Sequence, residues 1–162
     1  QQTANFTGTN VDTAQKVCNE STNGAATVAA STTYFMEGFY YISTAGATSH
    51  FLSILFGGTA TLTSMDYSVL SSLAPPATDT FSSPSVFHKT DATALAICNA
   101  VAAATHHHVW IRGVVRINGT GTFIPQYKWS AAPGTAGVTG RNSFLRLTPI
   151  GSNTIGVIGA WT

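Results

Sequence analysis

The chain has 162 residues, the usual length of one domain, and only 8% of them are charged, whereas soluble proteins average about 25%. Seven basic and six acidic side chains leave a formal net charge of +1, which excludes the strongly basic surface that attracts nucleic acid. No apolar stretch approaches the ~20 residues that a membrane-spanning helix needs. A nearly neutral surface favours a permanent oligomer, and the alternative is an extracellular protein with an uncharged polar surface.

Residues 1–27 are polar and are expected to form an N-terminal arm and a leading strand. The next segment, residues 31–43, is dense in aromatic side chains and predicts a strand. Successive residues of a strand point to opposite faces, which places Phe35, Glu37 and Phe39 on one side. Since both faces are apolar, we expect a central strand that is covered on both sides.

The middle of the chain alternates short apolar runs with small residues. Residues 50–56 predict a strand that ends at a hairpin-type break, Gly57-Gly58. Hydroxyl-rich residues 59–70 continue the pattern, and the Pro-rich residues 71–84 predict a long surface loop. Residues 91–104 contain alanine at near-helical spacing and favour a short helix and a strand equally.

The clearest strand covers residues 108–118, where apolar and other side chains alternate. The segment Gly119-Thr120-Gly121 predicts a tight turn, after which residues 122–130 would pair back as a hairpin. Pro125 cannot donate to a ladder and predicts an edge or a bulge. Residues 143–150 and 154–161 predict the last two strands. The whole chain, 1–162, is therefore predicted to be one all-β domain, an antiparallel β-sandwich with at most one short helix.

Three segments resemble motifs of tailed-bacteriophage virion proteins: AASTTYFMEGF at 29–39, HVWIRGVVRINGTGTF at 108–123 and NSFLRLTPI at 142–150. Asn142 stands where that family has glycine. The resemblance implies a jelly-roll-like sandwich of the TNF/C1q-like kind that assembles as a homotrimer on the virion surface, in the head or the tail. The implied partners are further copies of the chain and other virion proteins, such as a major capsid or tail protein.

The expected function is therefore structural: a capsid decoration (cement) protein, or a fibre or tail component, that stabilises the particle. The alternative is an adhesin on the same fold that binds a receptor or a host surface glycan. An enzyme is not expected, because the sequence contains no Gly-x-Ser-x-Gly nucleophile elbow and no phosphate-binding loop. Contacts with nucleic acid or with a membrane are not expected either.

Metal binding is considered only at the run of three histidines. On a strand, His106 and His108 would share a face and could hold a metal ion, with His88, His50 or Glu37 as a further ligand. The alternative is ordinary solvated imidazoles, so that no cofactor is expected. Cys18 and Cys98 fit no metal-binding spacing, and they are expected as buried thiols or as a disulfide.

Glu37 lies among aromatic residues and is expected to form an ion pair with Arg112, Arg116 or Arg146, in the interior or at a subunit boundary. Large side chains on the strongest strands are the candidates for the core or for an interface between subunits. With Glu37 they form this set: Phe35, Glu37, Phe39, Trp110, Arg112, Tyr127 and Trp129.

Overall fold

The computed structural model describes residues 1–18, 24–74 and 84–154, and the regular elements in these ranges are all strands. In chain order they are β1 (Phe6–Thr7), β2 (Gln15–Lys16), β3 (Ala26–Val28), β4 (Thr32–Thr44), β5 (Leu52–Gly57), β6 (Thr61–Ala74), β7 (Ser85–Lys89), β8 (Leu95–Ala96), β9 (Thr105–Gly119), β10 (Gly121–Trp129), β11 (Val138–Thr139) and β12 (Phe144–Ser152). Two antiparallel sheets pack together, which confirms the predicted β-sandwich. The jelly-roll connectivity stays a prediction.

The larger sheet has seven strands in the order β1-β11-β4-β9-β6-β7, with β12 also paired to β4. Its centre is β9, which pairs with β4 on one side at residues 105–117 and with β6 on the other at residues 106–119. Alternate residues of β9 face inward, and Val109, Ile111, Val115 and Ile117 are buried. The alternation of side chains that predicted a strand over 108–118 therefore also identifies the face of this strand that lies in the core.

The smaller sheet has five strands in the order β2-β10-β5-β8, with β3 also paired to β10. Its inward side chains meet those of the larger sheet in one core. The largest fully buried side chains of this core include Met36 and Tyr40 from β4, Tyr67 from β6, and Tyr127 and Trp129 from β10. Burial of these large side chains supplies the main driving force for packing the two sheets.

The predicted hairpin between residues 108–118 and 122–130 is wrong. In the described part of the chain β10 pairs with β2, β3 and β5, so the turn at Gly119–Gly121 carries the chain from the larger sheet to the smaller one. Gly57-Gly58, predicted as a hairpin-type break, makes the opposite crossing from β5 to β6. Gly58 has φ of +120°, a conformation that glycine alone adopts without strain.

The two crossings lie side by side and are joined by hydrogen bonds. The backbone N–H of Thr122 donates to Oγ1 of Thr59 (3.0 Å), and the backbone N–H of Thr59 donates to Oγ1 of Thr122 (3.1 Å). The N–H of Ala60 donates to the carbonyl of Thr122 (3.0 Å). A Cβ on Gly121 would meet the backbone of Ala60, so the close approach requires glycine there.

Pro125 lies in a strand with neighbours on both sides, which corrects the prediction that it marks an edge. β10 pairs with β5 at residues 124–129, with β3 at residues 121–123 and with β2 at residues 126–127. Pro125 falls in the gap between β3 and β2, where no ladder bond needs its missing N–H. Its carbonyl accepts from the N–H of Val17 (3.0 Å).

Residues 91–104 form no helix, so the helical alternative is wrong and the strand alternative holds for β8 only. Ile97 is buried, and its N–H donates to the carbonyl of Leu52 at the margin of the smaller sheet (3.0 Å). Val101 forms an isolated bridge with His50. These long-range contacts outweigh the helix preference of the alanines.

The first residues lie against the end of the larger sheet. Gln2 is buried, its N–H donates to the carbonyl of Ser143 (2.8 Å), and its own carbonyl accepts from the N–H of Asn142 (2.8 Å). Asn142 has φ of +72°, the left-handed region that asparagine tolerates better than most residues. Asparagine at position 142 is therefore compatible with the turn.

Two sequence predictions concern residues that fall largely outside the description. The strand predicted over 154–161 lies beyond the described residues except for Thr154. The loop predicted over 71–84 is described only at its ends, where residues 71–74 belong to β6. Among the described residues, no helix is long and apolar enough to cross a membrane.

Gly113 provides a test of the central strand pairing. A Cβ at this position would lie 2.6 Å from Cα of Tyr67, its register partner on β6, and closer still to the carbonyl of Asp66. We expect Gly113→Ala to lower the free energy of unfolding by about 1–3 kcal/mol, because neither backbone can move away within the sheet. Urea denaturation measures this loss. Ser68→Ala on the exposed side of β6 is the control, and equal stability of the two variants would contradict the register.

Candidate functional site

The outer face of the larger sheet, which points away from the core, carries the candidate site. On β9 the side chain of Trp110 is 45% exposed, while its neighbours Val109 and Ile111 are 0% and 2% exposed. On β4 the residues Phe35, Glu37 and Phe39 are only half-buried, whereas the alternating residues of the other face are buried. The sequence predicted that β4 would be covered on both sides, but within one chain only its inner side is covered.

Five large apolar side chains form a continuous line across this face, named here the apolar row. They are direct register partners on five neighbouring strands: Phe144 on β12, Phe39 on β4, Trp110 on β9, Leu70 on β6 and Val86 on β7. Strands lie ≈ 4.8 Å apart, so the row extends over roughly 19 Å. It lines an open depression with a volume of about 710 Å³.

A polar row runs parallel to the apolar row, one pleat away. In register order it consists of Arg146 on β12, Glu37 on β4, Arg112 on β9, Ser68 on β6 and His88 on β7. Nη2 of Arg146 lies 2.8 Å from Oε1 of Glu37, so the predicted pairing of Glu37 with one of three arginines is found at Arg146. The polar row thus carries charges of both signs beside the apolar one.

The guanidinium of Arg112 takes a different position from that of Arg146. Its carbon Cζ lies 5.2 Å from the ring centre of Phe35, a geometry in which a cation interacts with the face of an aromatic ring. Phe35 is the register partner of Val114 and lies one pleat beyond Glu37. Five of the seven residues predicted as interface or core therefore lie together on one open face: Phe35, Glu37, Phe39, Trp110 and Arg112.

Tyr127 and Trp129, predicted in the same set, lie elsewhere. Both are on β10 of the smaller sheet, both are fully buried, and their rings contact each other at 5.9 Å. They belong to the core between the sheets and cannot reach the open face. The sequence pattern does not separate these two aromatics from Phe39 and Trp110, because core strands and interface strands share the same alternation.

A cluster of aromatic rings borders the apolar row on the side away from the charges. The ring of Tyr41 contacts His106 (5.7 Å between centres) and His108 (5.2 Å), and His108 also contacts Phe39 (5.8 Å) and Trp110 (6.0 Å). Partial burial, followed by the charge of His106, holds the pKa of His108 below its ordinary value. His108 is therefore a neutral, largely apolar neighbour of the row at pH 7.

His106 and His108 share the outer face as the sequence predicted, but the further ligands considered for a metal do not join them. His50 is buried and contacts Trp129 in the core between the sheets. Glu37 is bound to Arg146, and His88 lies 3.0 Å from Asp66. In the described ranges no group of three or more His, Cys, Asp or Glu side chains is placed to hold a metal ion. A metal at His106 and His108 stays a prediction and would need ligands from another molecule.

Ser68, His88 and Asp66 lie next to one another at the margin of the same face. Nε2 of His88 is 3.0 Å from Oδ1 of Asp66, and Ser68 is the register partner of His88. The side chains of His88 and Asp66 are 58% and 69% exposed, and no hydrogen bond joins Ser68 to His88. Water screens this pair, so the arrangement lacks the protected base that activates a serine nucleophile.

The middle histidine of the run, His107, is a site residue that the sequence analysis missed. It faces inward, is fully buried, and lies beside His50 and Trp129. The alternation of β9 was the signal that would have placed it inside, since His106 and His108 were already assigned to the outer face.

Cys18 and Cys98 are free thiols and are partly buried, so the disulfide alternative is not formed. Burial raises the pKa of both thiols, which keeps them protonated and unreactive at neutral pH. The sulfur of Cys98 accepts a hydrogen bond from the N–H of Leu52 (3.3 Å).

The ion pair of Glu37 with Arg146 gives a prediction for stability. Both side chains are at least a third exposed, so water weakens the attraction. We expect Glu37→Gln to lower the free energy of unfolding by at most about 1 kcal/mol, with the difference shrinking in 0.5 M NaCl. Urea titrations at two salt concentrations measure it, with Ser64→Ala on the exposed side of β6 as the control. A loss above about 3 kcal/mol would mean that Glu37 is buried in an assembly.

No protein-family model matches the sequence, and comparison with curated proteins and with solved structures gives no match either. The role of the chain is therefore inferred from its own residues and their geometry.

Proposed function

We propose that the chain is a structural protein of a virion, a capsid decoration (cement) protein or a fibre or tail component, which acts by assembling with copies of itself. The apolar row is the observation that carries this proposal. Leu70, Trp110 and Val86 are 37%, 45% and 73% exposed in the single chain, although each has a register partner that is also apolar. A monomer gains nothing from such a line of side chains on its surface.

Covering the row would stabilise an assembly. Full burial of a side chain of this size contributes about 1.5–3 kcal/mol relative to leaving it in water. Soluble monomers keep contiguous apolar patches small, and larger ones mark interaction sites or aggregation hazards. Five adjacent apolar side chains in a chain with only 8% charged residues therefore favour a protein whose outer face is normally covered.

The charges beside the row fit a second copy of the same chain. Glu37 lies in register between Arg112 and Arg146, so an approaching copy offers an acidic group to the arginines and arginines to the acid. The net charge of +1 adds almost no long-range repulsion between copies. A patch that carries both signs beside an apolar line can therefore meet another copy of the chain without repulsion between like charges.

The virion context and the trimeric order come from the resemblance to tailed-bacteriophage proteins. Its three motif segments lie on β4, β9 and β12, three adjacent strands of the larger sheet. They contribute Phe39, Trp110 and Phe144 to the apolar row. In this role the chain works at the virion surface as a homotrimer against a major capsid or tail protein. It is not an enzyme and needs no cofactor, nucleic acid or membrane.

Glycan binding is the second candidate, and one contact favours it. The rings of Phe39 and Trp110 lie 5.0 Å apart beside the polar groups of Glu37 and Arg112. Aromatic rings next to hydrogen-bonding side chains are the surface on which saccharides bind. The same open face would then serve a receptor- or glycan-binding adhesin.

A charge placed within the apolar row tests the assembly. We expect the wild type to have the mass of three 16.9 kDa chains in light scattering after size exclusion. We expect Leu70→Glu to weaken the trimer by roughly 100-fold or more, because an unpaired carboxylate would be buried in the interface. Ser64→Glu is the matched control, on the same strand and the same exposed face but outside the row, and it should leave the trimer intact.

A wild type that stays monomeric at micromolar concentration would overturn the assembly proposal. Reproducible hits on a glycan array that disappear in Trp110→Ala, in a protein whose mass does not change, would favour the adhesin instead. A trimer that binds no glycan, and that Leu70→Glu dissociates, supports the structural role.

A further inference from the structure

We infer that residues 1–18, named here the strap, bind to a neighbouring copy of the chain in the assembled protein. In that neighbour the strap takes the position that it has on its own chain in the structure. The inference rests on the proposed function, because it needs an assembly of copies, and it identifies the segment that links one copy to the next.

The strap is attached to the larger sheet through hydrogen bonds of its backbone and of the Gln2 side chain. The N–H of Gln2 donates to the carbonyl of Ser143 (2.8 Å), and its side-chain Nε2 donates to the carbonyl of Thr139 (3.0 Å). Strand β1 pairs with β11, and the N–H of Gly8 donates to the carbonyl of Gly137 (2.9 Å). Gln2 is buried, so this attachment is shielded from water.

The other end of the strap is attached to the smaller sheet. Strand β2 pairs with β10, and the N–H of Val17 donates to the carbonyl of Pro125 (3.0 Å). The side chain of Val17 is fully buried and belongs to the core between the sheets. The strap therefore reaches from one sheet to the other, and the chain that receives it gains a core residue as well as hydrogen bonds.

The part of the strap between the two sheets is held by contacts within the strap itself. The backbone N–H of Thr9 donates to Oε1 of Gln15 (2.6 Å), and Nε2 of Gln15 donates to the carbonyl of Thr9 (3.1 Å). These two bonds close residues 9–15 into a loop. The strap carries this loop with it to whichever copy of the chain it binds.

The sheet residues named above that receive the strap all belong to one later segment, residues 125–143. More than 100 residues separate them from the strap along the chain. In another copy the same segment presents the same hydrogen-bonding groups at the same spacing. Exchange of the strap between copies therefore keeps each of these contacts, which makes the swapping of an identical segment a low-cost route to an oligomer.

The connection that follows the strap is long enough for this exchange. Val17 is bound at Pro125, and Ala26 of β3 lies opposite Phe123, so the two attachments are two residues apart on β10. Two residues of a strand measure about 7 Å, whereas the nine residues that lead from Val17 to Ala26 reach about 30 Å when extended. The spare length lets the strap leave its own segment 125–143 and reach that of a neighbour.

The site that receives the strap adjoins the apolar row. Ser143 accepts the hydrogen bond from Gln2, and the next residue, Phe144, begins the row on β12. A copy that covers the row therefore lies beside the segment that receives the strap. Both contacts join the same two neighbours, and the row positions the copy whose strap is exchanged.

A pair of engineered cysteines shows which chain holds the strap. Thr7 of the strap and Val138 of β11 are register partners. Residues directly opposite in antiparallel strands lie about 4.5–5.5 Å apart, a distance that a disulfide spans. After oxidation of the full chain carrying Thr7→Cys/Val138→Cys, we expect most chains to run as covalent oligomers on a denaturing gel without reductant, because each bond joins the strap of one copy to β11 of another.

The matched control keeps Val138→Cys and moves the other cysteine to β4. Ser43 is the register partner of Val138 on the other side of β11, so Ser43→Cys/Val138→Cys forms its bond within one chain and should run as a single chain. The wild type, oxidised in parallel, measures the background from Cys18 and Cys98, which are free and partly buried.

A single-chain band from Thr7→Cys/Val138→Cys, in a protein that light scattering shows to be assembled, overturns the inference and leaves the proposed assembly intact. A wild type that light scattering shows to be monomeric overturns both. If Thr7→Cys/Val138→Cys does not fold, Lys16→Cys/Gln126→Cys replaces it, since Lys16 and Gln126 are register partners at the other end of the strap. Thiols that stay free in both pairs also contradict the inference, because the strap is then not paired in this register.

Discussion

The fold depends on the pairing of β9 with strands on both of its sides. Over 15 residues it fixes which side chains enter the core and which lie on the outer face, because a pleated strand alternates strictly. The inner set packs against β10 and β5 and holds the sandwich together. The same register determines which side chains lie on the outer face. Trp110 and Arg112 therefore cannot change sides without exposing Val109 and Ile111.

This constraint explains why the outer face is apolar in a single chain. Leu70, Phe39 and Phe144 lie opposite Trp110 or one strand beyond it, and none of them contributes to the core. We propose that they contact another molecule instead. Charges of both signs, at Glu37, Arg112 and Arg146, are grouped beside them in the polar row. The alternation of side chains along each strand thus determines both the residues of the core and the residues of the outer face.

Local patterns were sufficient to predict part of this arrangement. The ranges and faces of β4 and β9 follow from aromatic and aliphatic alternation, and the inward position of His107 follows from the same rule. The partner of each strand could not be predicted from these patterns. Gly119 and Gly121 allow a tight turn whether the chain folds back within one sheet or crosses to the other sheet. Residues 91–104 were ambiguous because Ile97 and Val101 acquire their partners, Leu52 and His50, only in the folded chain. The apolar row spans five strands and is invisible until their register is known.

The reciprocal hydrogen bonds of Thr59 and Thr122 have a mechanical consequence. They join the two places where the chain passes between the sheets, at the end of β9 and the start of β6. A force that slides one sheet along the other would load these bonds together, in shear, before it reached the aromatic core. A sandwich closed in this way resists sliding more than one joined by a single flexible loop, a property suited to a component that transmits load between neighbours.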